Sequence, residues 1–403
     1  MTTLTNYHHF DGLPFATGYL VNTLAYQGAI APHTGKPYSE ALLMGINGGI
    51  AAGYFAFEYK GWDPHLHFLT RYPFTDELGA VVERLAIPFE NRTTTDAKKA
   101  LANVVDALTA SKPAIVWCDL IMLGYGDEQP PADKFWMVNP VLVYGLDLKA
   151  GIVQVADRSR LPREVSVDAF ARARARVAKT RHRMATFGVP DESRLPLAVE
   201  AGIRSCIDIF AGKPPVGAAS SWGFAAYDKW IGLLTNGKGK SSWAKMFAPG
   251  SRMWEGLTTT YKYLEVFYTG GSGARHIYAD FLDEAAVILS KPAIAGASGI
   301  FRESARRWNA FTHAVLPESS PMLNEARELL CREYDLFVNT GAMQSRMERH
   351  AIEARLKELK TQASEAFPLN EVEAESLRQE MAQHIRGISA VEREAFAALR
   401  AAL

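Results

Sequence analysis

The spacing of apolar residues changes once along this chain of 403 residues, near residue 190, and that change limits the fold more than any other feature of the sequence. Before it, strand-like and helix-like patterns alternate. Residues Phe15, Tyr19, Leu20, Thr23 and Leu24 recur at helical spacing between Pro14, suited to a first helical turn, and Gly28, suited to a stop. A second helix is expected from Asp96 to Ala110, entered from Thr93 to Thr95. The continuous apolar run Ala114 to Leu120 reads as a central strand. Pro140 to Leu146 and Ile152 to Ala156 read as adjacent antiparallel strands, joined by a loop that supplies Gly151. Ser166 then caps a helix from Val167 to Val177.

After a proline-rich and charged linker, Gly188 to Pro196, strand signals vanish. Helical patterns follow one another: Val199 to Phe210, Ser221 to Leu234, Met253 to Tyr268, His276 to Leu289, Ala297 to Ala314 and Met322 to Asn339. A strongly charged helix spans Met343 to Ala366, and the capping-box pairs Asn370/Glu373 and Ser389/Glu392 predict two short terminal helices. The fold class is therefore α+β, with a mixed domain over 1–187, a helical domain over 197–366 and a helical tail over 367–403.

Charge and cysteine content narrow the function. Lys plus Arg and Asp plus Glu both count 44, so the chain lacks the electrostatic footprint of a nucleic-acid or acidic-membrane binder. No apolar stretch approaches the roughly 18 residues that cross a bilayer. Met1 to Asp11 lacks the plan of a secretory signal, and the expected setting is the cytoplasm. Cys118, Cys206 and Cys331 are odd in number and far apart, signalling neither a disulfide framework nor a zinc site. No cofactor and no metal is expected. His8-His9 and His65-Leu66-His67 are the nearest to a metal motif, without a third ligand of convincing spacing.

Several motifs stand in a recognisable order: Gly12-Leu13-Pro14-Phe15, Ser39-Glu40, Gly45-Ile46-Asn47-Gly48-Gly49 leading to Tyr54, Lys112-Pro113 through Asp119 and Leu120, Asn139 to Asp147, Asp157, Gly270 to Arg275, and Tyr278 to Ala286. In this frame, over roughly residues 7 to 340, the sequence resembles the butirosin biosynthesis protein H family. The resemblance implies a papain-like first domain with a central antiparallel sheet, an all-α second domain, and acyl transfer from a carrier-protein thioester to an amine in specialised-metabolite biosynthesis. It implies a cysteine at the head of the first helix and a histidine on a strand of the sheet. A thiol at a helix N-terminus is helped toward the reactive thiolate, and a nearby imidazole carries its protons.

In the matching frame Phe15 stands at the cysteine, Pro14 at the residue before it and Asn139 at the histidine. Phenylalanine has no nucleophilic atom and asparagine no useful base. The family's covalent mechanism is thereby excluded, and whether the chain is an enzyme stays open. The residues expected to line the vacated pocket are Pro14, Phe15, Glu40, Asp119, Asn139, Asp157 and Arg275. Asp157 reads either as a remnant of the old cluster or as a strand-end carboxylate paired with Arg158. Asn139-Pro140 reads as a strand-entry turn or a ligand-binding amide. Gly270 to Gly273 with Arg275 reads as a tight inter-helix turn or an anion cradle for a substrate or carrier arm. Cys118 lies on an apolar strand, where burial raises a thiol pKa. Trp222, Trp230, Trp243, Trp254 and Trp308 suit core or domain packing better than a stacking platform.

Three functions are compatible with these residues. One is a divergent acyltransferase-family protein that holds a thioester, an amine acceptor or both and acts without covalent catalysis. Another is a non-catalytic subunit or ligand-binding partner of an active paralogue. The third is unrelated metal- or cofactor-assisted chemistry. The expected partners are an acyl-carrier protein or an active paralogue and a small-molecule substrate, with a homo-oligomer also open.

Overall fold

The apolar run that begins at Ala114 forms a strand, Ala114–Asp119, buried along its whole length. Strands buried on both faces read as continuous apolar runs, and this one lies inside a seven-stranded sheet. In this computed structural model, which describes residues 2–8, 16–71, 78–123, 138–157, 159–213, 218–267, 269–341 and 343–403, the sheet runs Arg163–Ser166, Ile152–Ala156, Val138–Asp147, Ala114–Asp119, Met184–Phe187, Phe89–Arg92, with Thr2–Thr3 also on Val138–Asp147. Every described pairing in it is antiparallel.

Side chains alternate across a strand, so Ala114, Val116 and Cys118 share one face, as do Val141 and Val143, and Val153 and Val155. These residues form one core cluster with Val104, Ala107, Leu108, Phe170 and Ala173 from two helices, Ala97–Thr109 and Val167–Ala175. The second begins at its Ser166 cap as the sequence predicts, and the first begins one residue later than expected, capped by Asp96 rather than by Thr93 to Thr95. The Asp96 side chain accepts from the backbone N–H groups of Lys98 and Lys99, and the Ser166 hydroxyl oxygen accepts from that of Ala169.

The helix Ala16–Tyr26 is buried from Ala16 to Leu24. Gly28 ends it at φ +74°, with its N–H on the Ala25 carbonyl and the N–H of Ala29 on that of Leu24. Such left-handed stops suit glycine, which has no Cβ to clash.

The compact units divide the chain otherwise than the contiguous ranges expected from sequence. One unit comprises Met1–Glu40, Val82–Arg194 and Glu333–Ala351; the other comprises Ala41–Val81, Leu195–Arg332 and Ile352–Leu403. Two physical reasons account for the exchange of segments. An antiparallel hairpin, Ile50–Phe57 with His65–Arg71, finds its burial among the second unit's helices. Gly53 bridges to Trp222, and the Cys206 thiol donates to the Ile50 carbonyl at 3.4 Å. Conversely, Glu333–Ala351 joins the first unit, where the Arg160 N–H donates to the Val338 carbonyl at 2.9 Å.

From Leu195 onward the described residues are helical, beginning with Leu195–Phe210 and Gly223–Thr235. The expected helix Met253 to Tyr268 is Ser251–Tyr261 followed by a π-helical turn over Lys262–Val266. The second unit is not purely helical, because it contains the hairpin. The expected pair of terminal helices is one helix, Glu371–Ala402. Asn370 and Glu373 do form a capping box, but Ser389 and Glu392 are buried in mid-helix, facing the interior rather than ending a turn. Trp222, Trp230, Trp243, Trp254 and Trp308 are all buried. Among the described residues no helix is long and apolar enough to cross a membrane.

Candidate functional site

Asp157 follows directly on Ala156, the last residue of its strand and the partner of Leu142 on the neighbouring one. Asn139 lies three residues before Leu142 on that neighbour, paired with Cys118. Tyr19, in the first helix, donates its hydroxyl to Asp157 Oδ1 at 2.9 Å. Phe15 and Pro14 lie outside the described residues, as does Arg158, the expected partner of Asp157. Phe15 precedes Tyr19 by four positions in the sequence. Asn139 thus lies on the strand next to the one that Asp157 follows, and of the two Asp157 alone lines the adjoining cavity.

A cavity of about 510 Å³ opens beside Asp157 within the first unit, a size that suits a small ligand. Tyr144 and Gln154 supply its floor from adjacent strands, and Ser159 with Leu161 to Glu164 one wall; Phe337, Gly341, Met343 and Gln344 supply the other. Tyr144 reaches the cavity through a β-bulge. Val143 pairs with Val155 and Gly145 with Gln154, so Tyr144 is the extra residue, and a bulge turns such a side chain out of the regular alternation. Its ring stacks on Tyr7 at 4.3 Å between centroids. Burial, and after it the Glu164 carboxylate, raises the Tyr144 phenol above its ordinary value, so that it stays protonated as a donor.

Glu40, Asp119 and Arg275 are placed differently. Glu40 begins the helix Glu40–Ile46 and accepts from the Thr17 hydroxyl. Asp119 is fully buried at the end of its strand, 3.6 Å from Arg176 Nε and accepting from the Ile121 N–H at 3.2 Å. Neither lines the cavity.

Arg275 belongs to the interior of the second unit, and its exposure is 0%. Its Nε donates to Glu392 Oε1 at 2.8 Å, and its Nη2 to the Tyr227 hydroxyl at 2.8 Å. Its guanidinium therefore serves the helix core rather than a ligand. The glycine run before it is an inter-helix turn: residues 270 to 274 all have positive φ. The anion it receives is internal, for the Ser272 N–H donates to Glu265 Oε2 at 3.2 Å.

The buried thiols offer no replacement nucleophile. Burial pushes the Cys118 thiol far up, and the charged groups acting on it are Asp157, Arg174, Asp119 and Arg163, with no imidazole among them. Burial likewise raises Cys206, to about 12. A thiol so placed carries almost no thiolate near neutral pH. His65 and His67 share one face of their strand, and the His67 Nδ1 sits 2.8 Å from the Tyr263 hydroxyl. Among the described residues no three His, Cys, Asp or Glu side chains gather as metal ligands.

A family model described as butirosin biosynthesis protein H, N-terminal, matches residues 16–158, and a model described as a domain of unknown function (DUF4872) matches residues 168–330. The chain belongs to the butirosin biosynthesis protein H family. The first match begins one residue after Phe15 and ends one residue after Asp157, spanning the strands that carry Asn139 and Cys118. The antiparallel sheet with its leading helix is the papain-like domain of this family, and the helices that follow are its all-α part. No curated protein matches the chain.

Sequence reasoning did not foresee the cavity wall over 337–344. The single local signal was Gly341, at φ +89° in the structure.

Proposed function

We propose that the chain is a divergent acyltransferase-family protein of specialised-metabolite biosynthesis, binding an acyl or aminoacyl thioester, its amine acceptor, or both in the cavity beside Asp157. One observation carries this reading: the acidic position that the family frame assigns to the old catalytic cluster is the residue that borders a ligand-sized cavity. The same residue is tied by Tyr19 to the helix Ala16–Tyr26.

The chemistry this arrangement supports is direct aminolysis. The amine nitrogen attacks the thioester carbonyl carbon, the C–S bond breaks, the thiol leaves with a proton, and an amide forms. Of the charged groups that line the cavity, the carboxylates Asp157 and Glu164 suit an ammonium group, which must lose its proton to attack, and the Arg163 guanidinium suits the thioester carbonyl oxygen. Proximity alone is a large effect when the reacting atoms are held about 3–3.5 Å apart. The partners in this reading are an acyl-carrier protein and a small amine, in the cytoplasm.

Mass spectrometry of the full chain incubated with acyl-carrier thioesters and amines tests it. Amide product without an acylated protein is expected, and a thioester trapped on any cysteine overturns the proposal. A second reading, a non-catalytic subunit of an active paralogue, is favoured by the loss of nucleophile and base from a chain that still matches both family models. It requires activity to appear only when the two chains are mixed.

A further inference from the structure

Both walls of the Asp157 cavity come from residues that neither family match contains, for Ser159 and Leu161 to Glu164 fall between the two matches. Both matches end by residue 330, whereas Phe337, Gly341, Met343 and Gln344 lie beyond it. This wall is fixed to the opposite side by hydrogen bonds. The Arg160 N–H and the Ser159 hydroxyl both donate to the Val338 carbonyl, at 2.9 and 3.3 Å. The turn itself is closed by Ser345, whose N–H and hydroxyl both donate to the Gly341 carbonyl, at 3.1 and 2.6 Å.

Gly341 shows how closely the two walls approach. A Cβ on it would lie 2.7 Å from Gln344 Oε1 and 3.1 Å from Leu161 Cδ1, and its φ of +89° disfavours any side chain. Between the walls the lining divides by character. Asp157, Arg163 and Glu164 supply charge of both signs, while Leu161, Phe337 and the half-exposed Met343 supply apolar surface. A molecule with a polar head and an apolar arm fits that division, the head at the charged groups and the arm along Phe337 and Met343.

We infer that Phe337, Gly341, Met343 and Gln344 set the length of acyl chain the cavity accepts, with Met343 and Gln344 as the specificity-determining side chains. This rests on the reading that the cavity holds the acyl group. Each buried methylene strengthens binding about three- to fourfold, so affinity should climb with chain length and stop climbing where the arm meets the wall.

The test uses the full chain with N-acetylcysteamine thioesters of straight-chain acids of increasing length as probes, their affinities measured by calorimetry. Gln344→Ala and Met343→Ala, which remove wall volume, should move the break to longer chains by one carbon or more. Met343→Trp should move it to shorter ones. Met347→Trp, in the same segment at 88% exposure and not lining the cavity, should leave it in place. Thermal melts establish which variants are folded; the two truncations carry the test if the tryptophan is not tolerated. A wild type that shows the break, with truncations that do not move it, overturns the inference and leaves the acyl-binding reading standing. A wild type that binds none of the thioesters overturns both.

Discussion

Removing the Glu392 carboxylate should unfold the second unit well before the first. It accepts five hydrogen bonds: from Arg275 Nε at 2.8 Å and Nη2 at 3.3 Å, the Tyr227 hydroxyl at 2.7 Å, the Ser304 hydroxyl at 2.7 Å and the Trp308 indole N–H at 3.0 Å. Both charges have zero exposure, so in Glu392→Ala no solvent replaces the lost acceptor. Breaking a buried ion pair by removing one partner costs about 3–5 kcal/mol. Each stranded neutral donor adds a further penalty of roughly 1–3 kcal/mol before relaxation. A loss of at least about 4 kcal/mol is expected, which for a domain of this size lowers the melting temperature by roughly 8–16 °C.

Urea unfolding followed by tryptophan fluorescence reads this change directly, since Trp222, Trp230, Trp243 and Trp308 are fully buried in this unit. Arg275→Met combined with Glu392→Leu should recover much of the loss, because no unpaired charge remains. The pH dependence has a definite sign. Burial raises the Glu392 pKa, but the Arg275 charge and the hydrogen bonds outweigh it and hold the carboxyl below its ordinary range. The stability from this group is therefore present above about pH 4.3, its unfolded value, and lost as pH falls through the folded value. A cost under about 1 kcal/mol for Glu392→Ala, or a double variant as unstable as the sum of the two single changes, would refute the reasoning.

Three further outcomes are expected. Iodoacetamide at neutral pH should modify the exposed Cys331 in the native protein and spare Cys118 and Cys206, which react only after denaturation; peptide mapping checks this. Gly202→Ala should destabilise the second unit by about 1–3 kcal/mol in denaturant titration: the new Cβ would lie 2.3 Å from the Gly45 carbonyl oxygen, a backbone clash that exceeds the roughly 1 kcal/mol gain in helix propensity. His276 is held below its ordinary pKa by burial and by Arg71, against Asp280. Its neutral form is favoured when folded, so its contribution is lost as pH falls below about 6.5, and melts of His276→Gln should show a shallower decline there.

The parts of the fold that were legible in the sequence are those set by neighbours along the chain. Ser166 caps its helix because a short side-chain oxygen reaches the next turn's N–H wherever the rest of the protein lies. Ser389 and Glu392 have the same spacing as Asn370 and Glu373, yet only the latter pair forms a cap. The difference is tertiary, because Glu392 answers a guanidinium 117 residues away in sequence. Arg275 departs from the expectation for the same reason: its guanidinium faces the other half of that pair rather than a ligand.

The hairpin Ile50–Phe57 with His65–Arg71 escaped notice because its first strand, IAAGYFAF, is apolar without clear alternation. Its pairing and its burial depend on helices more than a hundred residues later. In the candidate site, Asp157 was legible as an acid at the end of a strand. The cavity beside it was not, because its far wall is contributed by residues some 180 positions downstream.

The interleaving of segments bears on how the protein is made. A polypeptide leaves the ribosome from its amino end, and the sheet can assemble once Phe187 has emerged. The Asp157 cavity, however, stays open on one side until residues 333–351 follow, and the helical unit is incomplete until its last helix appears. A fragment ending near residue 190 would expose to solvent the surface that Val338 later covers. Separate expression of the two halves is thus a poor route to either, and a nascent chain stalled midway would be a natural client for chaperones.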